Sequence, residues 1–337
     1  MSHIPDQSSG SGRAWADRRS MAIDRAVRFL AATQTADGAF ETVRGPLPGF
    51  AKRSPGEEHF GTMYVICALR GVRHPLLPGV RRKAADLILR EMVRPGLWRF
   101  RPTSVEAADT LSAPLDIDDT ALASMAFRRY RLSLLLRLNI PTMLKWRDEQ
   151  GRFRTWMEEG YLNPVCAVVN ANAVWYIGET AATKPAIRWL MELATDRTDQ
   201  AHQRYYPGPM LFNHAVSRAA HESAPTLRAI NRVLEERVMN EVGVGIDRLS
   251  ALNAAQAVCT LVRVGAGANR LVTQLGESLL QRQRADGSWP IAPAWGGHSL
   301  PSHIPGMPTG RLLYWGSAAI TTAVAVEALT MMPTMRH

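Results

Sequence analysis

One turn signature recurs along the chain and limits what its helices can build. Gly38-Ala39-Phe40, Gly96-Leu97-Trp98, Gly151-Arg152-Phe153 and Gly287-Ser288-Trp289 each set a glycine two residues before an aromatic, at the end of a stretch with helical apolar spacing. Asp37, Gln150 and Asp286 precede three of these glycines, which suits a left-handed turn that glycine enters without steric cost. The ring that follows plugs the gap between neighbouring hairpins. Its recurrence predicts a closed array of helical hairpins.

Apolar residues recur at helical spacing over 22–33, 63–72, 80–93, 120–127 and 164–177, and again over 183–198, 209–221, 224–240, 247–263, 267–284 and 316–331, with a shorter run at 141–148. Strand-like alternation is hard to find. These twelve stretches predict an all-α domain over 19–333 behind a flexible tail at 1–18, which is rich in Ser, Gly, Arg and Asp. No run approaches the ~18 apolar residues of a membrane span, and the tail lacks the apolar core of a signal. Cys67, Cys166 and Cys259 lie in apolar stretches, so they read as small core residues of a cytoplasmic protein. The formal charge of +10 favours an anionic partner such as a diphosphate, a membrane surface or nucleic acid. Nucleic acid is disfavoured, because the arginines are scattered and no nucleic-acid-binding motif accompanies them.

Within this pattern, Arg25-Ala26, Phe29-Leu30, Gln34, Gly38 and Phe40 resemble the glutamine-tryptophan repeat of squalene-hopene and oxidosqualene cyclases, with Phe where that family has Trp. Leu279, Gln283, Gly287 and Trp289 form a second, partial copy. The resemblance implies an (α/α)6 toroid of six inner and six outer helices, a count the twelve stretches match. Leu115-Asp116-Ile117-Asp118-Asp119-Thr120-Ala121 resembles the Asp-x-Asp-Asp motif of class II terpene cyclases. The family's acid then falls on Asp118, with Asp116 and Asp119 beside it.

The chemistry suits those residue types. Protonating an unactivated alkene takes a carboxylic acid held neutral and aimed at the double bond. Like charges crowded in an apolar mouth raise the pKa of one carboxyl, and the titration belongs to the cluster. A structural alternative stands beside it: Asp116 as N-cap, with Asp118 and Asp119 in a first turn where the helix dipole favours negative charge. In a toroid the inner helices start at one mouth, which makes His59, Thr62, Asn170, Asn172, Asn213, His214, Asn253, Trp295, Tyr314, Trp315 and Ser317 candidates for lining it. Of these, Asn170, Asn213, His214, Trp295, Tyr314 and Trp315 are expected to bind substrate. Trp156, Tyr161, Tyr205, Tyr206 and Phe212 supply further aromatic faces for a carbocation. Residues 296–314, with His298 and His303, read as a lid.

The resemblance therefore implies a protonation-initiated terpene cyclase acting on a linear prenyl diphosphate or polyprenyl chain. The alternative is a non-catalytic isoprenoid-binding or partner toroid. Arg101, Lys145, Arg147, Arg204, Arg218 and Arg311 are candidates for holding a diphosphate. No Asp-Asp-x-x-Asp run and no Asp-x-Cys zinc pair is present, so no metal or cofactor is expected beyond Mg2+ carried by a diphosphate. Related two-domain cyclases close their cavity between toroids, and 337 residues hold one. A homodimer, a partner protein or the lid would have to close it here, and peripheral membrane contact remains open.

Overall fold

The structure, a computed structural model, describes residues 8–47, 50, 53–56, 58–101, 114–128, 137–159, 163–298 and 312–333. Twelve α-helices lie among them: α1 Ser8–Thr33, α2 Phe60–Ala68, α3 Leu77–Arg90, α4 Ile117–Phe127, α5 Ile140–Lys145, α6 Ala167–Ile177, α7 Lys184–Asp196, α8 Pro209–Glu222, α9 Asn231–Gly243, α10 Ala251–Arg263, α11 Arg270–Arg282 and α12 Ala318–Met331. The even-numbered helices form the inner ring. Each packs on the next, and α12 returns to α2. Every residue of α2 and α4 is buried, as an inner helix with apolar faces all round requires. The odd-numbered helices form the outer layer and bury one stripe each, such as Ala186, Ile187, Leu190, Leu193 and Ala194 of α7. This is the (α/α)6 toroid expected from the sequence.

The recurring turn acts as a clamp. The backbone N–H of each aromatic donates to a side chain near the start of the following inner helix: Phe40 to Thr62 Oγ1 at 2.9 Å, Trp98 to Thr120 Oγ1 at 3.1 Å, Phe153 to Asn170 Oδ1 at 2.8 Å and Trp289 to Thr322 Oγ1 at 3.1 Å. The indole N–H groups of Trp98 and Trp289 reach back to the preceding outer helix, at Ile88 O (2.7 Å) and Leu279 O (2.8 Å). In the two glutamine copies the amide joins one hairpin to the next. Gln34 Nε2 donates to Gly38 O (3.0 Å) and Val80 O (2.9 Å), and Gln283 Nε2 to Gly287 O (3.0 Å) and Ala22 O (2.8 Å). That spacing leaves no room for a side chain at the turn: a Cβ on Gly38 would collide with the Lys83 carbonyl, and one on Gly287 with that of Arg25.

Two expectations are corrected. The chain is helical from Ser8, not from residue 19, and Trp15 is 3% exposed against Gly276 and Met332. A helix that meets the core through so few side chains carries little apolar periodicity. The strands also went unseen. β1 (Thr42–Gly45), β2 (Ser54–Gly56), β3 (Trp295–His298) and β4 (Leu312–Gly316) form one antiparallel sheet in the order β2-β1-β4-β3. They are short and glycine-rich, so alternation is absent. The ends of the expected lid are thus paired strands, with Trp295 opposite Trp315, and 299–311 lie outside the described residues. Among the described residues no helix is long and apolar enough to cross a membrane.

Gly38→Ala combines the collision with a φ of +105°, and an expected loss of ~2–4 kcal/mol in urea unfolding follows. Gly79→Ala in α3, where nothing lies within 4 Å, is expected to be neutral or stabilising by up to ~1 kcal/mol. Equal effects at the two sites would contradict the clamp.

Candidate active site

The inner helices all begin at one end, and their first turns leave backbone N–H groups to be satisfied there. Asp116 caps α4: its side chain accepts from Asp118 N at 2.5 Å and Asp119 N at 3.2 Å. Ser250 caps α10 and Ser317 caps α12 through their hydroxyls. Glu58, ahead of α2, accepts from Gly61 N at 2.8 Å and from the Thr42 hydroxyl at 2.5 Å. The capping role of Asp116 is therefore present, and it leaves Asp118 free to face inward.

Asp118 is 4% exposed and held on both oxygens. Asn172 Nδ2 donates to Oδ1 at 2.6 Å, and the Tyr206 hydroxyl meets Oδ2. Arg218 Nη2 donates to Asn172 Oδ1 at 2.6 Å. Because a guanidinium only donates, this contact fixes the amide with its NH2 toward Asp118. Asn172 can then only donate to Oδ1, whereas the Tyr206 hydroxyl can donate or accept. A proton on Asp118 accordingly belongs on Oδ2.

Electrostatics separate the three aspartates. Burial lifts the Asp118 carboxyl to about 6, held from going further by hydrogen bonds from Tyr206 and Asn172 and by the charge of Arg218. Burial and the Asp118 charge drive Asp116 well above the usual carboxylate range. Burial and the charges of Asp116, Asp118 and Glu58 do the same to Asp119, whose Oδ1 has no partner among the described residues. Glu58 itself is raised to about 7 by burial. Burial thus pushes all four carboxyls toward the neutral form, and Asp118 is the aspartate whose carboxylate receives side-chain donors.

The other expected site residues divide between the mouth and elsewhere. Trp295 packs edge-on against Phe60 with centroids 4.8 Å apart, Trp315 meets Phe100 at 5.8 Å, and Trp156 meets Tyr205 at 5.9 Å. Tyr314 is half-buried on β4 beside them. Asn170 belongs to the clamp: it also donates to Phe153 O at 2.8 Å and Cys166 O at 3.0 Å. Asn213 accepts from Arg237 Nε at 2.9 Å, and Arg237 in turn pairs with Asp199 at 2.5 Å. His214 lies 3.7 Å from Glu327. The contacts of all three are with groups other than Asp118. Phe212 lies under Arg237, and Tyr161, His303 and Arg311 fall outside the described residues.

Of the basic candidates, Arg147 is used in donating to Leu144 O (2.9 Å) and Ala182 O (2.8 Å), and Arg218 stands behind the acid. Lys145 and Arg204 are exposed. Tyr206, which the sequence presents only as an aromatic face, and Glu58, which nothing in the sequence marks, complete the polar surroundings of the aspartates. Cys67, Cys166 and Cys259 are free and buried, as expected.

The Asp118 carboxyl near 6 lies above its ordinary value of 3.8. Its stabilising contribution is therefore full below about pH 4 and lost as pH rises through 6. Asp118→Asn removes that loss, and its stability relative to wild type is expected to rise by about 3 kcal/mol between about pH 4 and about pH 8. Guanidinium unfolding at the two pH values measures it, and a difference that does not change with pH would contradict the burial of the charge.

No protein-family model matches the chain, and no curated protein matches it by sequence. Solved structures do share its fold. A variant of the type II terpene cyclase MstE from Scytonema, in complex with its substrate geranylgeranyl dihydroxybenzoate, superposes with a TM-score of 0.66 at 16% identity, over 96% of this chain and 100% of the other. The ent-copalyl diphosphate synthase from Streptomyces platensis gives 0.53 at 16% identity, over 81% of this chain and 50% of that one. An unsaturated glucuronyl hydrolase specific for heparin gives 0.57 at 11% identity, over 94% and 97%. The architecture is thus shared with terpene cyclases and with a glycan-cleaving enzyme, so the fold leaves the chemistry to be argued from the site.

Proposed function

We propose that the chain is a protonation-initiated, class II terpene cyclase in which Asp118 is the general acid. The observation that carries the proposal is the treatment of one carboxyl among three. Asp118 alone has donors on both oxygens, so its conjugate base is the best stabilised, while burial keeps the proton on it near pH 6. An alkene is a poor base, and it needs both properties. The glucuronyl hydrolase likeness does not supply an equal reading. Hydrolysis calls for a carboxylate pair spanning a glycosidic bond and a water, whereas the carboxyls of this cluster are buried and adjacent in sequence.

In the proposed cycle Oδ2 of Asp118 gives its proton to the terminal double bond of a linear polyprenyl chain. The carboxylate left behind is held by Asn172, Tyr206 and, through Asn172, by Arg218. Asp116 and Asp119 remain neutral beside it, so they do not repel the new charge. The cation moves away along a wall that includes Trp156, Tyr205, Phe60, Trp295 and Trp315, whose faces stabilise positive charge without adding to it, and it is discharged by loss of a proton or capture of water. Any diphosphate stays on the product. The substrate's head group is left open by the chemistry at Asp118, and the two cyclases of like fold differ there too: one is bound to a dihydroxybenzoate, the other named for a diphosphate. Closure by the single toroid is in keeping with the MstE chain, which is matched along its whole length.

Incubation with geranyl, farnesyl and geranylgeranyl diphosphates, squalene and geranylgeranyl dihydroxybenzoate, with dephosphorylation before product analysis, is expected to yield a cyclic product from at least one. Asp118→Asn is expected to lower the rate at least ~100-fold. Ligand binding without turnover in the wild type would favour the non-catalytic toroid.

The pH dependence provides a separate check. The acid form is lost as pH rises, so kcat/KM is expected to fall along an alkaline limb near 6. Tyr206→Phe removes a hydrogen bond that favours the carboxylate, which should move that limb to higher pH while lowering turnover on the order of 10-fold. A limb that stays in place would exclude Tyr206 as the acid's partner.

A further inference from the structure

Toward the opposite end of the ring, where the inner helices finish, lies a second polar site, of which the proposed cyclisation uses only Arg218. Helix α8 carries His214, Arg218 and Glu222 on successive turns. Arg218 lies 3.8 Å over the Trp175 ring, and Trp175 Nε1 donates to Glu222 at 3.0 Å. Glu222 pairs with Arg70, and Arg263 of α10 pairs with Glu327 of α12. Arg70, Arg218, Glu222, Arg263 and Glu327 line a cavity of about 490 Å³, together with Arg128 and the exposed His221 and Thr330.

Charge and unmet hydrogen bonding point the same way. Four arginines face two glutamates around this cavity, an excess of positive charge gathered at helix C-termini that would by themselves satisfy only part of it. Arg218 is 4% exposed and Arg263 is 8% exposed. Among the described residues, Arg218 Nε and Arg263 Nη1 have no hydrogen-bond partner. Arg128 makes long contacts among the described residues, 3.4 Å to Ser223 Oγ and 3.7 Å to Met125 Sδ. Buried N–H groups without acceptors are costly, and an anion supplies acceptors and charge together.

A metal fits less well. His214, Cys259 and Glu327 bring donor atoms within 4.8 Å of one another, but Glu327 Oε1 pairs with Arg263, and only its Oε2 has no hydrogen-bond partner among the described residues. A dication there would also meet the guanidinium groups of Arg218 and Arg263 at close range.

We propose that this cavity binds a phosphate-type oxyanion through Arg218 Nε, Arg263 Nη1 and the guanidinium of Arg128. Arg218 then has two duties, because its Nη2 also fixes Asn172 against Asp118. An anion beside Arg218 offsets the positive charge that favours the Asp118 carboxylate, so occupancy weakens the acid and moves the alkaline limb of turnover upward. This coupling rests on the cyclase reading, whereas the binding does not.

The test is calorimetric titration at constant ionic strength with inorganic phosphate, inorganic diphosphate and geranylgeranyl diphosphate. The proteins are wild type, Arg128→Gln, and Arg263→Gln combined with Glu327→Gln so that no charge is left buried alone. Saturable one-to-one binding is expected, weakened about ten-fold or more in Arg128→Gln and also in the double variant. Loss with the inorganic ions alone identifies a free ion as the ligand, and loss with the prenyl compound as well identifies its head group. The surface-exposed Arg128→Gln keeps the test available should the double variant not fold. Absent binding, or binding that neither variant changes, means adventitious ion only on a basic surface and overturns the proposal. Because the heat of binding is read without turnover, this failure is distinct from a failure of Asp118 as acid.

Discussion

The hydrogen bond from a turn's backbone N–H to the first turns of an inner helix is the contact on which the rest of the molecule depends. Thr62, Thr120, Asn170 and Thr322 each accept it. Four hairpins are thereby held at the same height, and their inner helices begin in one plane. That common plane gathers the capped starts of α4 and α12 at one mouth. Asn170 and Asn172 show how finely the division runs: two residues apart on α6, one is spent on the clamp and the other on the acid.

Burying several carboxyls together would ordinarily leave them all neutral and all weak as donors. Here the asymmetry comes from donors and not from burial, since all three aspartates are nearly inaccessible. Asp116 spends its acceptors on backbone N–H groups, Asp119 has an oxygen unanswered, and Asp118 receives an amide and a phenol. Arg218 reaches Asp118 only through Asn172. Its charge is felt without placing a guanidinium directly on the carboxyl.

Much of this was legible in the sequence because its causes are local. The Gly-x-aromatic turns, the twelve helices, the cap by Asp116 and the oddity of two asparagines in an apolar run all follow from neighbours within a few positions. What was hidden is non-local. Tyr206 stands 88 positions from Asp118, and Arg218 stands 46 from Asn172; neither carries any mark of its partner. Asn170, Asn213 and His214 are the converse case, since a buried polar residue near a helix start announces that it must be satisfied but not by what. The sheet escaped because its pairing joins 42–45 with 312–316, and its strands are too short to show a period.

That pairing has a bearing on how the protein is made. Val43 meets Gly316 across the sheet, and α2 meets α12 in the ring, so the earliest hairpin finds its lasting neighbour only after residues near 316 have left the ribosome. Until then α2, apolar on every side, has one flank without cover, and a nascent chain would expose it for most of its synthesis. The seam between first and last hairpins is therefore where a chaperone has most to protect, and it is beside the acidic mouth that the ring finally shuts.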